Sequence, residues 1–132
     1  MRHLKVKWML LLLLWISVNS RAETWLCSGI DAIPRSAIKQ AYTGNSILVN
    51  GQWLKVYMLP FDHPLTIGLF AIEGISINQV KRLAYNNSLV DRGFRIVNNP
   101  EALAYSMMSD KPSIGYAYGE VGSVKSCNFN NN

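Results

Sequence analysis

The run Leu54-Lys55-Val56-Tyr57-Met58-Leu59 is followed by Pro60-Phe61-Asp62-His63-Pro64 and then by Leu65 to Glu73, with Gly74 behind it. The first part alternates enough, with Val56 and Tyr57 inside it, to be a strand. The two prolines make the second part a loop. The third reads as a helix from Pro64 to Glu73, closed by Gly74. A strand that hands over to a helix through a short loop is the unit from which α/β domains are made, and the flanking sequence extends that pattern on both sides.

Upstream, Asn50-Gly51 is a turn signal within Asn45 to Trp53. Before it, Pro34 to Thr43 reads as a helix. Proline suits the first turn, Gly44 suits the position after the end, and Ile33, Ala37, Ile38, Ala41 and Tyr42 fall on one stripe. Thr24 to Ser28 is a short opening strand. Downstream, Ser76 with Gln79 makes a capping-box pattern for a third helix whose apolar face is Ile77, Val80, Leu83 and Ala84, and Asn86-Asn87 ends it. Asp91 to Val97 reads as loop and then short strand. Asn99 caps a fourth helix with Pro100 at its first position and Leu103, Ala104 and Met107 facing inward, and Pro112 stops it. Ile114 to Tyr118 is a strand, Val121 to Cys127 a last one, and the polar tail Asn128 to Asn132 is expected to fray. The expected fold is one small α/β domain, a short central sheet flanked by about four helices on both faces.

Residues 1–22 are expected to be a cleaved signal peptide, leaving 23–132 as the domain. Arg2, His3, Lys5 and Lys7 form a basic start, Trp8 to Val18 is an apolar run, and Ser20-Arg21-Ala22 places small residues at a cleavage site before Glu23. The apolar run is shorter than the roughly 20 residues that span a bilayer. Cleavage changes the charge. The whole chain is +5 at pH 7, but Arg2, Lys5, Lys7 and Arg21 leave with the leader while every acidic residue stays. What remains is close to neutral, with its basic residues scattered, which argues against a nucleic-acid partner or an anionic membrane surface.

Both cysteines, Cys27 and Cys127, belong to the exported part. In an oxidising compartment they are expected to pair, tying the start of the domain to its end. No CxxC spacing or nearby histidine supports a reactive thiol or a metal site. His63 is the one histidine left after cleavage. It reads either as a loop-surface imidazole beside a capping Asp62 or as a ligand-contacting, pH-sensing group. The serines lack a nucleophile-elbow context, the carboxylates show no pairing pattern, and there is no glycine-rich phosphate loop. The expectation is a protein without catalytic residues, metal or cofactor.

The order of these segments resembles one lobe of the phosphate-type periplasmic solute-binding proteins that serve ABC transporters. Ile33 to Gly44 resembles the helix and F-x-G segment that opens the family's second lobe, Gly51-Gln52-Trp53 its tryptophan turn, and Leu54 to Leu59 the strand that follows. Pro60 to Phe70 takes the place of the anion-gripping loop and helix start. Pro112-Ser113-Ile114-Gly115-Tyr116 resembles the P-G-A-I-G-Y strand near that lobe's end. The resemblance implies a single-lobe, substrate-binding-like relative of the type II binding-protein fold, with Asp62, His63 and Thr66 as its ligand-binding residues. Two departures stand out. The family holds its ligand between two lobes, and this chain has room for one. The family's Ser-Gly-Thr grip aligns with His63-Pro64-Leu65, where Pro64 removes an amide donor.

Together these readings give a periplasmic, non-enzymatic binding module that takes a small anion weakly. The alternative is a structural or assembly accessory of an envelope complex, acting through protein contacts. Neither inserts into a membrane once the leader is removed.

Overall fold

The computed structural model describes residues 23–85 and 94–130. The leader at 1–22, the Asn86-Asn87 helix end, the loop at 91–93 and the last two residues of the tail lie outside the described residues. The chain is a small single domain in which a mixed sheet of five strands is covered by helices. Strand β1 spans Thr24–Ser28, β5 Lys55–Met58, β6 Phe94–Ile96, β7 Ser113–Ala117 and β8 Lys125–Ser126, in the spatial order β6-β5-β7-β1-β8. Strand β5 is parallel to both β6 and β7, and β1 is antiparallel to β7 and β8. The helices are α1 Ser36–Tyr42, α2 Pro64–Glu73, α3 Ile77–Tyr85 and α4 Pro100–Met108.

Two crossovers build the parallel part. The chain leaves β5, passes through α2 and α3, and returns beside it as β6; it then passes through α4 to β7 on the other side of β5. Crossovers of one hand that run in opposite directions across a sheet place their helices on opposite faces. That is how the side chains fall. Trp25, Tyr116 and Phe94 point to the face covered by α1 and α2. There Trp25 meets Tyr42 at 5.4 Å and Tyr116 at 5.3 Å between ring centroids, and Phe70 completes the group at 5.2 Å from Tyr42. Such pairs contribute about 0.5–1.5 kcal/mol each beyond the area they bury. The Trp25 Nε1 donor is enclosed among these rings with no hydrogen-bond partner. On the opposite face lies Gly115. A Cβ built there would stand 2.6 Å from Leu103 and 2.7 Å from Met107 of α4, so the glycine lets the helix pack against the strand.

Several sequence expectations are met residue for residue. Helix α2 runs from Pro64 to Glu73 and stops at Gly74 with φ 71°. Asn99 Oδ1 caps α4 by accepting from the Ala102 N–H at 2.8 Å. Asn50 and Gly51, with φ 52° and 80°, make the two-residue turn between β3 (Leu48–Val49) and β4 (Gln52–Trp53). Both positive φ values match the twist of a tight hairpin. Cys27 and Cys127 form a disulfide with Cα atoms 4.9 Å apart, and the Cys127 N–H donates to Trp25 O.

Three expectations are corrected. Ile33 and Pro34 form strand β2 rather than the first turn of a helix, which begins at Ser36. The polar tail is ordered through Asn130, because Phe129–Asn130 (β9) pairs in parallel with β2 and the Phe129 ring lies 4.9 Å under the Arg35 guanidinium. The last strand shrinks from Val121–Cys127 to Lys125–Ser126, since Val121 and Val124 bridge to each other around a turn in which Gly122 has φ 58°. Among the described residues no helix is long and apolar enough to cross a membrane.

Candidate functional site

In sheets of this kind ligands bind beyond the carboxyl ends of the parallel strands, where successive helices leave for opposite faces. Here that place is beside β5 and β6. The loop Pro60–His63 leaves β5 towards α2, and Val97 to Asn99 leaves β6 towards α4. The two exits are stitched together by the Val97 N–H, which donates to Met58 O at 2.8 Å. Asp62, His63 and Thr66, the three expected ligand residues, all lie at this end.

Their roles differ. His63, not Asp62, is the cap of α2: it has an extended backbone, and its Nδ1 accepts the Leu65 N–H at 3.1 Å. Asp62 is exposed, and among the described residues its side chain makes no hydrogen bond or ion pair. Thr66 is fully enclosed. Its hydroxyl is 2.6 Å from the Tyr116 hydroxyl and 3.5 Å from Leu59 O, and the Leu59 N–H donates to Tyr116 at 3.0 Å. The Tyr116 hydroxyl is pushed up to about 12 by burial, against the lowering effect of its bonds with Thr66 and Leu59. It is a structural hydroxyl in the working range of pH.

The first turn of α2 therefore has little left for an anion. Pro64 has no N–H, the Leu65 N–H is bound to His63, and the Ile67 N–H begins the helical ladder on His63 O. Helix α4 repeats the arrangement with Pro100, Asn99 and the Leu103 N–H on Asn99 O, and Glu101 adds a negative charge to its first turn. A carboxylate there complements the helix dipole in the place an anion would take. One signal for the burial of Thr66 was in the sequence. It lies one turn before Phe70, and with Leu65 and Leu69 it completes the inward stripe of α2.

Three other features were missed by residue-by-residue reading. The outer side of α2 is apolar: Ile67 and Ile72 are 50% and 69% exposed, with Ala71 between them. The β3–β4 hairpin pairs Leu48 with Trp53 across its strands, and both are 57% exposed. The third feature is a groove beside α1, lined by Arg35, Ser36, Lys39, Gln40, Asn45 and Glu73 together with Thr43, with a volume of about 550 Å³. Arg35 and Glu73 form an ion pair across it, the Glu73 side chain being 8% exposed. Elsewhere, Tyr57 donates to Asp110, and burial followed by that bond raises the phenol to about 12. Among the described residues no three His, Cys, Asp or Glu side chains gather as a metal site would require.

Comparison with protein-family models, with curated proteins and with solved structures finds no match for this chain.

Proposed function

We propose that this chain is an exported, non-enzymatic binding module of the periplasm, related in plan to one lobe of a phosphate-type solute-binding protein, and that it acts through protein contacts. Supporting this is one contrast. At the start of α2, where the resemblance places an anion, the Leu65 and Ile67 N–H groups and the Thr66 hydroxyl are bonded inside the fold, while the apolar side chains Ile67 and Ile72 on the same helix face solvent. Binding free anion there would first break the His63 cap, which costs about 0.5–2 kcal/mol. An exposed apolar helix face gains from covering by a partner, at about 25 cal/mol per Å² buried.

The test compares two ligand classes on one sample. Phosphate, sulfate and small carboxylates at millimolar concentration are expected to leave the melting temperature unchanged. Cross-linking in intact envelopes is expected to give a discrete heteromeric product that Ile72→Ser and Trp53→Ser weaken. Thermal protection by an anion, abolished in His63→Ala, would instead make this the small-anion module that the resemblance implies.

A further inference from the structure

The groove beside α1 differs from the end of the sheet in one respect: Lys39, Ser36, Gln40 and Asn45 leave much of its polar lining unspent. Glu73 is enclosed, and its charge is matched by Arg35, whose guanidinium also rests over the Phe129 ring. Lys39 is the second cation. Its ammonium lies 3.8 Å from where a Cβ on Gly74 would be, at the carboxyl end of α2, where the helix dipole holds a cation in place. Among the described residues no carboxylate forms an ion pair with Lys39, so the groove keeps one positive charge. Nor do the side chains of Ser36, Gln40 and Asn45 hydrogen-bond within the described fold, and every residue of the lining is polar.

The groove is open to solvent rather than enclosed, so it suits a side chain presented by a larger molecule better than a small free ligand. It also has an apolar neighbour. Asn45 on its rim is three residues before Leu48, whose cross-strand partner Trp53 is equally exposed. Three residues reach at most about 11 Å, within the span of one short peptide segment.

We propose that this groove docks an acidic segment of a partner protein. A carboxylate of that segment meets Lys39 and the exposed edge of Arg35, Ser36, Gln40 and Asn45 bond its neighbouring polar groups, and an apolar residue close by covers Leu48 and Trp53. This goes beyond the contact reading, adding a docking surface of its own apart from the Ile67 and Ile72 side of α2.

The test uses the domain as exported and a synthetic peptide alternating glutamate and phenylalanine, with the lysine-for-glutamate peptide as control. Amide resonances are followed during titration. Shifts are expected within residues 35–53, and they should weaken as salt rises from about 50 to about 200 mM, as a partly exposed charge contact must. Lys39→Glu is expected to weaken binding roughly tenfold while leaving the spectrum folded, because the side chain is on the surface. Ile72→Ser should leave this peptide's binding unchanged. Equal binding of the lysine peptide, or equally strong shifts with free phosphate or citrate, overturns the proposal. If the acidic peptide never moves residues 35–53 while the envelope cross-link is still weakened by Ile72→Ser, the groove assignment fails and the contact reading stands. If the cross-link is absent but the peptide binds, the reverse holds.

Discussion

The Thr66 hydroxyl sits 2.6 Å from the Tyr116 hydroxyl, joining the first turn of α2 to the middle strand of the sheet. Because Leu59 N–H donates to the same Tyr116 oxygen, one phenol fixes both the exit from β5 and the start of the helix that follows. The position of the loop that carries Asp62 and His63 depends on this one interior group.

Tyr116→Phe should therefore cost more than a buried methyl-sized change. It leaves the Leu59 N–H and the Thr66 hydroxyl enclosed with a partner removed, at about 1–3 kcal/mol for each group left unsatisfied. Thr66→Val in the Tyr116→Phe background should recover part of that loss, since it removes one of the two stranded groups. Urea melts of the single and double variants measure it. A single variant as stable as wild type would show that the bond carries no weight.

His63→Ala is expected to destabilise by about 0.5–2 kcal/mol, the usual cost of a lost cap, and His63→Asn to restore most of it. Amide exchange should quicken at the first turn of α2 and leave β7 unaffected. Uniform quickening would mean that His63 supports more than the cap.

Alkaline pH should unfold the domain earlier than its charge balance predicts. Tyr116 and Tyr57 are each raised to about 12 and Tyr42 is raised well above its ordinary value, burial being the largest cause in all three. An unfolded tyrosine titrates at about 10. The folded values are higher, so the unfolded chain loses these protons first. The associated stability is complete below about pH 10 and drains away as pH rises through about 12. Urea midpoints are expected to fall across that window, and Tyr57→Phe to flatten part of the fall. A midpoint unchanged above pH 11 or so would contradict the assignment.

Replacing Gly115 by Ala should cost about 1–3 kcal/mol through overpacking, because the new methyl meets Leu103 and Met107 at separations real Cβ atoms do not tolerate. Leu103→Ala in the same chain would relieve the Leu103 part of the clash and leave the contact with Met107. Thermal melts of the two single variants and the double show whether their effects are coupled.

What the sequence revealed was local. Gly74, Asn99, Ser76 and Asn50-Gly51 act on residues within a turn of themselves, and each does in the structure what its chemistry requires. The errors lie where distant segments meet. Pro34 suits a helix start in isolation, but Ile33 and Pro34 pair with Phe129 and Asn130, nearly a hundred residues on. The tail looked polar enough to fray, and Phe129 under Arg35 holds it. At the site, the stripe of α2 turns Thr66 inward, but its hydroxyl partner Tyr116 comes from β7, and no local pattern announces that partner. The groove was invisible for the same reason. Lys39 and Arg35 read as scattered cations until Glu73 is brought beside them.

The Cys27–Cys127 bond has a mechanical consequence. These residues are separated by 100 positions in the chain, and they lie in neighbouring segments at one edge of the sheet. A pull applied upstream of Cys27 and downstream of Cys127 is carried from one segment to the other through sulfur. Within the loop that the bond closes, the helices and most of the sheet are bypassed by the load, which falls first on the pairings outside it, Thr24 to Leu26 on β7 and Phe129–Asn130 on β2. Under tension those outer pairings can give way, but the loop between the cysteines cannot be drawn out while the bond is intact. A protein built this way can be held on both sides of the bond while the segment between its cysteines stays closed on itself.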